Sequence, residues 1–261
     1  MTIDYAEHLR SDMMPHILCP GCGHGIVLKA LFRAVKTLDL EWDRLAFVAG
    51  IGCSSRLVGY IDGCTLHTTH GRALTFATGL KLARPDLTVI VITGDGDGLA
   101  IGGNHLIHAA RRDVDLTCLL LNNETYGMTG GQVAPTTLPG RVSTTTPLGS
   151  PEPRFDACRL VTAAGASFVA RGATSLPLEL DQLIARGISH QGFSFLEIAS
   201  DCPEYFGRYN RLGRGPEMLQ AQRRRLDEVD ATLAEKGFVG GAPAPQGAPT
   251  LRTGVLHEDA R

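Results

Sequence analysis

The sequence predicts an α/β fold, a mainly parallel sheet with helices on both faces, and three observations predict it. Short apolar runs recur along the middle of the chain, Gly-rich or polar breaks end them, and segments of helical spacing separate them. The runs at residues 45–50, 87–93, 116–121, 167–170 and 193–199 are short, apolar and often β-branched, as strands buried on both faces should be. Between the breaks, Ile26, Val27, Ala30, Leu31, Ala34, Val35 and Leu38 repeat about every 3.6 residues, which gives a helix with one buried face. Residues 72–83 and 104–112 read as crossover helices. Parallel strands joined in this way place ligand sites at their carboxyl ends.

Four regions follow. Residues 1–14 form an N-terminal arm, 15–210 the main domain, 211–236 a C-terminal helix and 237–261 a loosely ordered tail rich in Gly, Ala and Pro. Within the helical region, 216–236 is charged, and its basic cluster Arg223, Arg224 and Arg225 reads as a solvated face. Residues 136–153 carry Pro, Thr and Ser without periodicity and read as a long surface loop or lid beside the site.

A chain of 261 residues is long enough to bury a substantial core. Its net charge of −2 supplies no basic field to attract nucleic acid or anionic lipid. No apolar run approaches the ~20 residues of a membrane-crossing helix. The N-terminus, with Asp4, Glu7 and Asp12, lacks the cationic-then-apolar pattern of a signal peptide, so the expected address is cytoplasmic. In that compartment the seven cysteines read as thiols or metal ligands rather than disulfides.

The first motif begins where a strand stops. Gly94-Asp95-Gly96-Asp97-Gly98 follows the run ending at Thr93, and Asn122-Asn123 follows the next strand, with 25 residues between Gly96 and Asn122. A diphosphate with Mg²⁺ needs hard oxygen ligands and glycines that admit phosphates to backbone N–H groups. Asp95 offers a carboxylate, Asn123 an amide oxygen and Thr125 a backbone carbonyl. Asp97 is open between a phosphate contact and a turn-stabilising role.

The second constellation is made of thiols. Cys19-Pro20-Gly21-Cys22-Gly23-His24-Gly25 opens a helix, Cys53 follows a strand in Gly50-Ile51-Gly52-Cys53-Ser54-Ser55, and Cys202 follows the strand at 193–199. A Cys-x-x-Cys pair is compatible with zinc, a dithiol redox site or an iron–sulfur cluster. Zinc modules gather ligands locally, whereas these lie far apart in the chain, an arrangement that favours the cluster. Cys118, mid-strand, reads as a small buried residue, and Cys64 and Cys158 as spectators.

Together these motifs, with His67-Thr68-Thr69-His70-Gly71-Arg72-Ala73 and Tyr126-Gly127-Met128-Thr129-Gly130-Gly131-Gln132, resemble the β subunit of 2-oxoacid:ferredoxin oxidoreductases over residues 17–210. The resemblance implies a thiamine diphosphate-binding fold for 15–210, with Asp95, Asn123 and the Thr125 carbonyl on Mg²⁺. It implies that Cys19, Cys22, Cys53 and Cys202 hold a [4Fe–4S] cluster. Gly52, Cys53, Gly94, Gly96, Asp97, Gly127 and Met128 would complete the cofactor's surroundings. His70 would lie by the thiazolium, the alternative being a structural histidine. Arg56 would meet the substrate carboxylate, the alternative being a surface cation.

The implied reaction is coenzyme A-dependent oxidative decarboxylation of a 2-oxoacid, with ferredoxin as acceptor. Arg56 and the small Gly130 and Gly131 favour 2-oxoglutarate over pyruvate, with branched-chain 2-oxoacids open. An obligate α subunit follows, in an (αβ)2 assembly. Two rivals stand: a nonoxidative thiamine diphosphate-dependent decarboxylase or carboligase subunit, and a zinc-stabilised binding module.

Overall fold

The computed structural model describes residues 4–235 and 252–259. Strands β1 (Leu45–Ala49), β2 (Cys64–His67), β3 (Thr88–Gly94) and β4 (Leu116–Asn122) precede a short hairpin, β5 (Thr125–Tyr126) with β6 (Gln132–Val133). Strands β7 (Phe168–Ala173), β8 (Phe193–Ala199) and β9 (Gly254–Glu258) follow. The main sheet runs β2-β1-β3-β4-β8-β7-β9, parallel except for β9, which pairs antiparallel with β7.

Alternation along the strands feeds a core on each face of the sheet. Leu45, Phe47 and Ala49 of β1 and Ile90 and Ile92 of β3 enter one core, with helices α1 (His24–Thr37), α2 (Leu57–Tyr60) and α6 (Pro177–Ser189). Ala46, Val48, Val89 and Val91 enter the other, with α3 (Ala73–Ala83), α4 (Gly103–Arg111) and α5 (Ala157–Ala164). Because both faces are covered, the strands read as continuous apolar runs. Cys118 is fully buried in the second core, in agreement with its reading as a small apolar residue.

The N-terminal arm packs against α1 and the β1 end of the sheet. His8 stacks on Trp42 with ring centroids 4.0 Å apart, and the Tyr5 hydroxyl accepts from Arg33. Helix α7 (Gly215–Glu235) matches the charged C-terminal segment. Two expectations are corrected. The tail is not loose throughout, since β9 completes one sheet edge, while residues 236–251 lie outside the described residues. The stretch 136–153 is irregular as expected but is not simply a surface loop: Thr136, Thr137, Ser143 and Ser150 are buried, and the Thr136 hydroxyl donates to Asp95. No helix among the described residues is long and apolar enough to cross a membrane.

Candidate cofactor site

Strands β1, β3 and β4 end side by side, and their following turns border one open cleft. From β1 come Gly52, Cys53 and Ser54; from the segment before α3, His70; from β3, Gly94 through Asp97; from β4 and the hairpin, Asn123, Thr125, Gly127 and Met128. Every residue that the sequence put around the cofactor therefore lines this one cleft. After Gly94 the chain enters a π-helical turn, Gly96–Ile101, directly against the cleft. Glycine at 96 leaves room for the ring of Tyr126, into which a Cβ would run and whose hydroxyl donates to the Gly96 carbonyl.

Asp95 is 2% exposed and accepts a hydrogen bond from the Thr136 hydroxyl. Burial pushes its carboxyl up to about 7, against the pull of the Thr136 and Gly96 hydrogen bonds. A carboxylate so desolvated fits a place where a bound divalent cation restores its charge. Asn123 and Thr125 line the same cleft, so three residues able to offer oxygen donors of the kind Mg²⁺ favours border it.

The paired asparagines have different tasks. The Asn122 amide donates to Glu197 Oε1 at 2.7 Å and its oxygen accepts from the Glu124 N–H at 3.1 Å, which leaves Asn123 to face the cleft. Asp97 is occupied by the protein. Its Oδ1 accepts from His70 Nδ1, from the Gly71 N–H at 2.6 Å and from the Ile51 N–H at 3.2 Å, and its Oδ2 from the Thr93 hydroxyl at 2.6 Å. The open choice for Asp97 thus falls on holding the turns together, with His70 oriented by it. The sequence marked neither Tyr126 nor Thr136 as a site residue. Tyr126 stood inside a quoted motif, whereas Thr136 lies in an aperiodic stretch that offers no signal.

Behind a wall shared with this cleft is a second one, lined by Cys19, Cys22, Cys53 and Cys202 together with Arg56; Cys53, Asn123, Gly127 and Met128 border both. Three distant parts of the chain meet here. Gly23 N–H donates to the Asp201 carbonyl at 3.4 Å and His24 Nδ1 pairs with Ser200 Oγ at 3.0 Å, which clamps the Cys19–Cys22 turn onto the Cys202 loop. At Gly127 a Cβ would lie 3.3 Å from Cys53 Sγ and 3.6 Å from Cys202 Sγ, so glycine brings the backbone up to the sulfurs.

Burial and mutual repulsion among the thiols push Cys22 up to about 12 and Cys53 up to about 11. Thiols so placed become thiolates only against a strong positive charge, which fits a metal cluster. Among the described residues no three of His, Cys, Asp or Glu converge on a single metal ion. Arg56 borders the thiol cleft rather than the cofactor cleft, and its Nε is buried without a hydrogen-bond partner. Cys64 is exposed on β2, and the buried Cys158 thiol donates to Glu197 at 3.3 Å.

On the far side of Asn123 and Cys202 lies a third cleft, where Arg141, Arg154 and Arg225 border Glu124 and Asp201. Burial pushes the Glu124 carboxyl up, with Arg225, Arg154 and Arg141 pulling it back. Arg225 is therefore not part of a merely solvated face, although Arg223 and Arg224 are exposed.

Residues 50–198 match the family described as thiamine pyrophosphate enzyme, C-terminal TPP binding domain. The 2-oxoglutarate synthase subunit KorB of Methanothermobacter marburgensis is 49% identical over 93% of this chain and 88% of its own length. That of Methanothermobacter thermautotrophicus is 53% identical over 95% of this chain and 88% of its own length. Among solved structures, a 2-oxoglutarate:ferredoxin oxidoreductase from Magnetococcus marinus, with 2-oxoglutarate, coenzyme A and succinyl-CoA bound, superposes with a TM-score of 0.82. It is 32% identical, and the match covers 100% of this chain and 86% of that one.

Proposed function

Because the chain belongs to the thiamine pyrophosphate enzymes, as a β subunit of the 2-oxoacid:ferredoxin oxidoreductases of 2-oxoglutarate synthase type, we propose that it binds thiamine diphosphate through Mg²⁺ held by Asp95, Asn123 and the Thr125 carbonyl. The observation that carries this reading is that these three residues line one cleft at adjacent strand ends. When bound, thiamine diphosphate supplies the electron sink for decarboxylation of a 2-oxoacid. His70, fixed by Asp97 through Nδ1, presents its other nitrogen for proton transfer or hydrogen bonding at the reacting end. Tyr126, packed edge-on to His70 with ring centroids 6.3 Å apart, restricts that ring.

The names of the two archaeal relatives and of the structural neighbour support 2-oxoglutarate as substrate, coenzyme A as acyl acceptor and ferredoxin as electron acceptor. The four thiols along one wall beside the cofactor cleft support a [4Fe–4S] cluster on this chain. Arg56 adds a cation to the thiol cleft, where its guanidinium pairs with the charge of the cluster or with a substrate carboxylate that reaches that side. Residues 15–210 form the cofactor domain, which works with an α subunit in an (αβ)2 assembly in the cytoplasm.

Two measurements test this. Asp95→Ala should abolish magnesium-dependent retention of thiamine diphosphate in calorimetric titration, and undiminished binding would overturn the site. Anaerobically purified chain should carry about four irons. Iron found only on another subunit would move the cluster there and leave the cofactor assignment standing.

A further inference from the structure

Glu197 and Arg171 line neither the cofactor cleft nor the thiol cleft, yet the structure encloses both: Glu197 is 1% and Arg171 7% exposed. We infer that this buried pair is a positioning layer that sets the magnesium affinity of the site by fixing the turn after β4. The inference rests on the magnesium site proposed above.

The chain of contacts is continuous. Glu197 Oε2 accepts from Arg171 Nε at 2.8 Å and from the Cys158 thiol at 3.3 Å, while Oε1 accepts from the Asn122 amide at 2.7 Å. Arg171 also reaches Asp156, the N-cap of α5, at 3.1 Å. Asn122 passes the constraint on. Its side-chain oxygen accepts from the Glu124 N–H at 3.1 Å, and its backbone carbonyl accepts from the Ser200 N–H at 2.8 Å.

Glu124 consequently stands at φ 59°, a left-handed conformation that a residue with a side chain keeps only when its surroundings impose it. That one residue separates the two donors, Asn123 and Thr125, so its conformation decides whether both face the same ion. For stability alone a buried ion pair is no better than well-packed apolar side chains. The sheet around it is apolar: Phe195, Leu196 and Ile198 are the neighbouring residues of β8. The retained pair is therefore explained by what it holds. Outer partners of metal ligands typically change metal affinity about 10–100-fold when removed.

Magnesium is titrated calorimetrically into the assembled enzyme with saturating thiamine diphosphate, alongside thermal melting. Glu197→Gln keeps an acceptor for Asn122 but removes the buried counter-charge of Arg171, leaving it only the half-exposed Asp156. Its melting temperature should fall while magnesium affinity stays within about threefold of the parent. The double variant Glu197→Leu with Arg171→Leu should recover melting temperature yet bind magnesium about tenfold or more weakly. Parental magnesium affinity in that double variant overturns the inference. If it does not fold, Asn122→Ala, which leaves the ion pair intact, takes its place with the same expectation and the same overturning result. Asp95→Asn is the reference: were it to bind magnesium normally, the metal site itself would fall. Loss of the metal there, with parental affinity in the double variant, removes only the role of the pair.

Discussion

Asp97 gathers donors from three separate places: Thr93 at the end of β3, Ile51 after β1, and His70 with Gly71 before α3. All four fall on a carboxylate that is 3% exposed, so each bond is charge-assisted and none is easily replaced by water. Asp97→Asn keeps the shape but loses the charge, and it turns an NH2 group towards at least one donor. The expected cost is about 3 kcal/mol, read as a lower urea midpoint at unchanged slope. A midpoint within error of the parent would mean that these donors find other partners. At Gly96 the constraint is steric. Gly96→Ala must displace the Tyr126 ring that faces His70, and its expected signature is weaker thiamine diphosphate binding with a smaller change in melting temperature.

At the scale of elements, strand β8 joins the two halves of the sheet and carries Glu197 through its centre. Burial alone raises that carboxyl, but Arg171, Asn122 and the Cys158 thiol outweigh it and hold Glu197 below the ordinary carboxylate range. A depressed folded value means stability that is present above the unfolded pKa, about 4.3. It is lost as pH falls through the lower folded value. Urea unfolding at pH values between about 3 and 6 should show a steeper acid loss for the parent than for Glu197→Gln. Equal slopes would assign the acid response to other carboxylates.

The strands were legible for the reason that makes β8 central. Buried on both faces, β1, β3, β4 and β8 are continuous apolar runs, and each observed span lies within a residue or so of its expected bounds. Helix α6 was not among the expected elements although Leu180, Leu183, Ile184 and Gly187 stand at i, i+3, i+4 and i+7; the stripe is short and closes on a glycine, but its spacing is the one that marks α1. Strand β9 sits at an edge with only partial burial, and no apolar run betrays it. In the site, residues carried by compact motifs were legible, whereas Thr136, Glu197 and Arg171 act through contacts 26 or more residues apart in the chain and have no local pattern.

The whole molecule converges on the carboxyl ends of its strands, and the thiol cleft shows how. Cys19 and Cys22 come from the segment before α1, Cys53 from the turn after β1 and Cys202 from the loop after β8, so one cluster there would tie the N-terminal segment to both halves of the sheet. Without it, the attachment of that segment rests on a few single hydrogen bonds, Ile17 N–H to the Tyr60 hydroxyl, Gly23 to Asp201 and His24 to Ser200, on Leu18 packed against the core, and on Gly21 lying close against Gly215. A Cβ on Gly21 would come within 2.7 Å of the Gly215 Cα. Metal binding of this kind contributes directly to folding stability. Cys202→Ser should therefore lose iron and also raise amide hydrogen exchange at residues 17–23 and 200–207, while α3 and α4 on the opposite face keep their protection. Iron loss without a change in exchange at residues 17–23 would show that the N-terminal segment is held by its own packing, and that the cluster serves electron transfer alone.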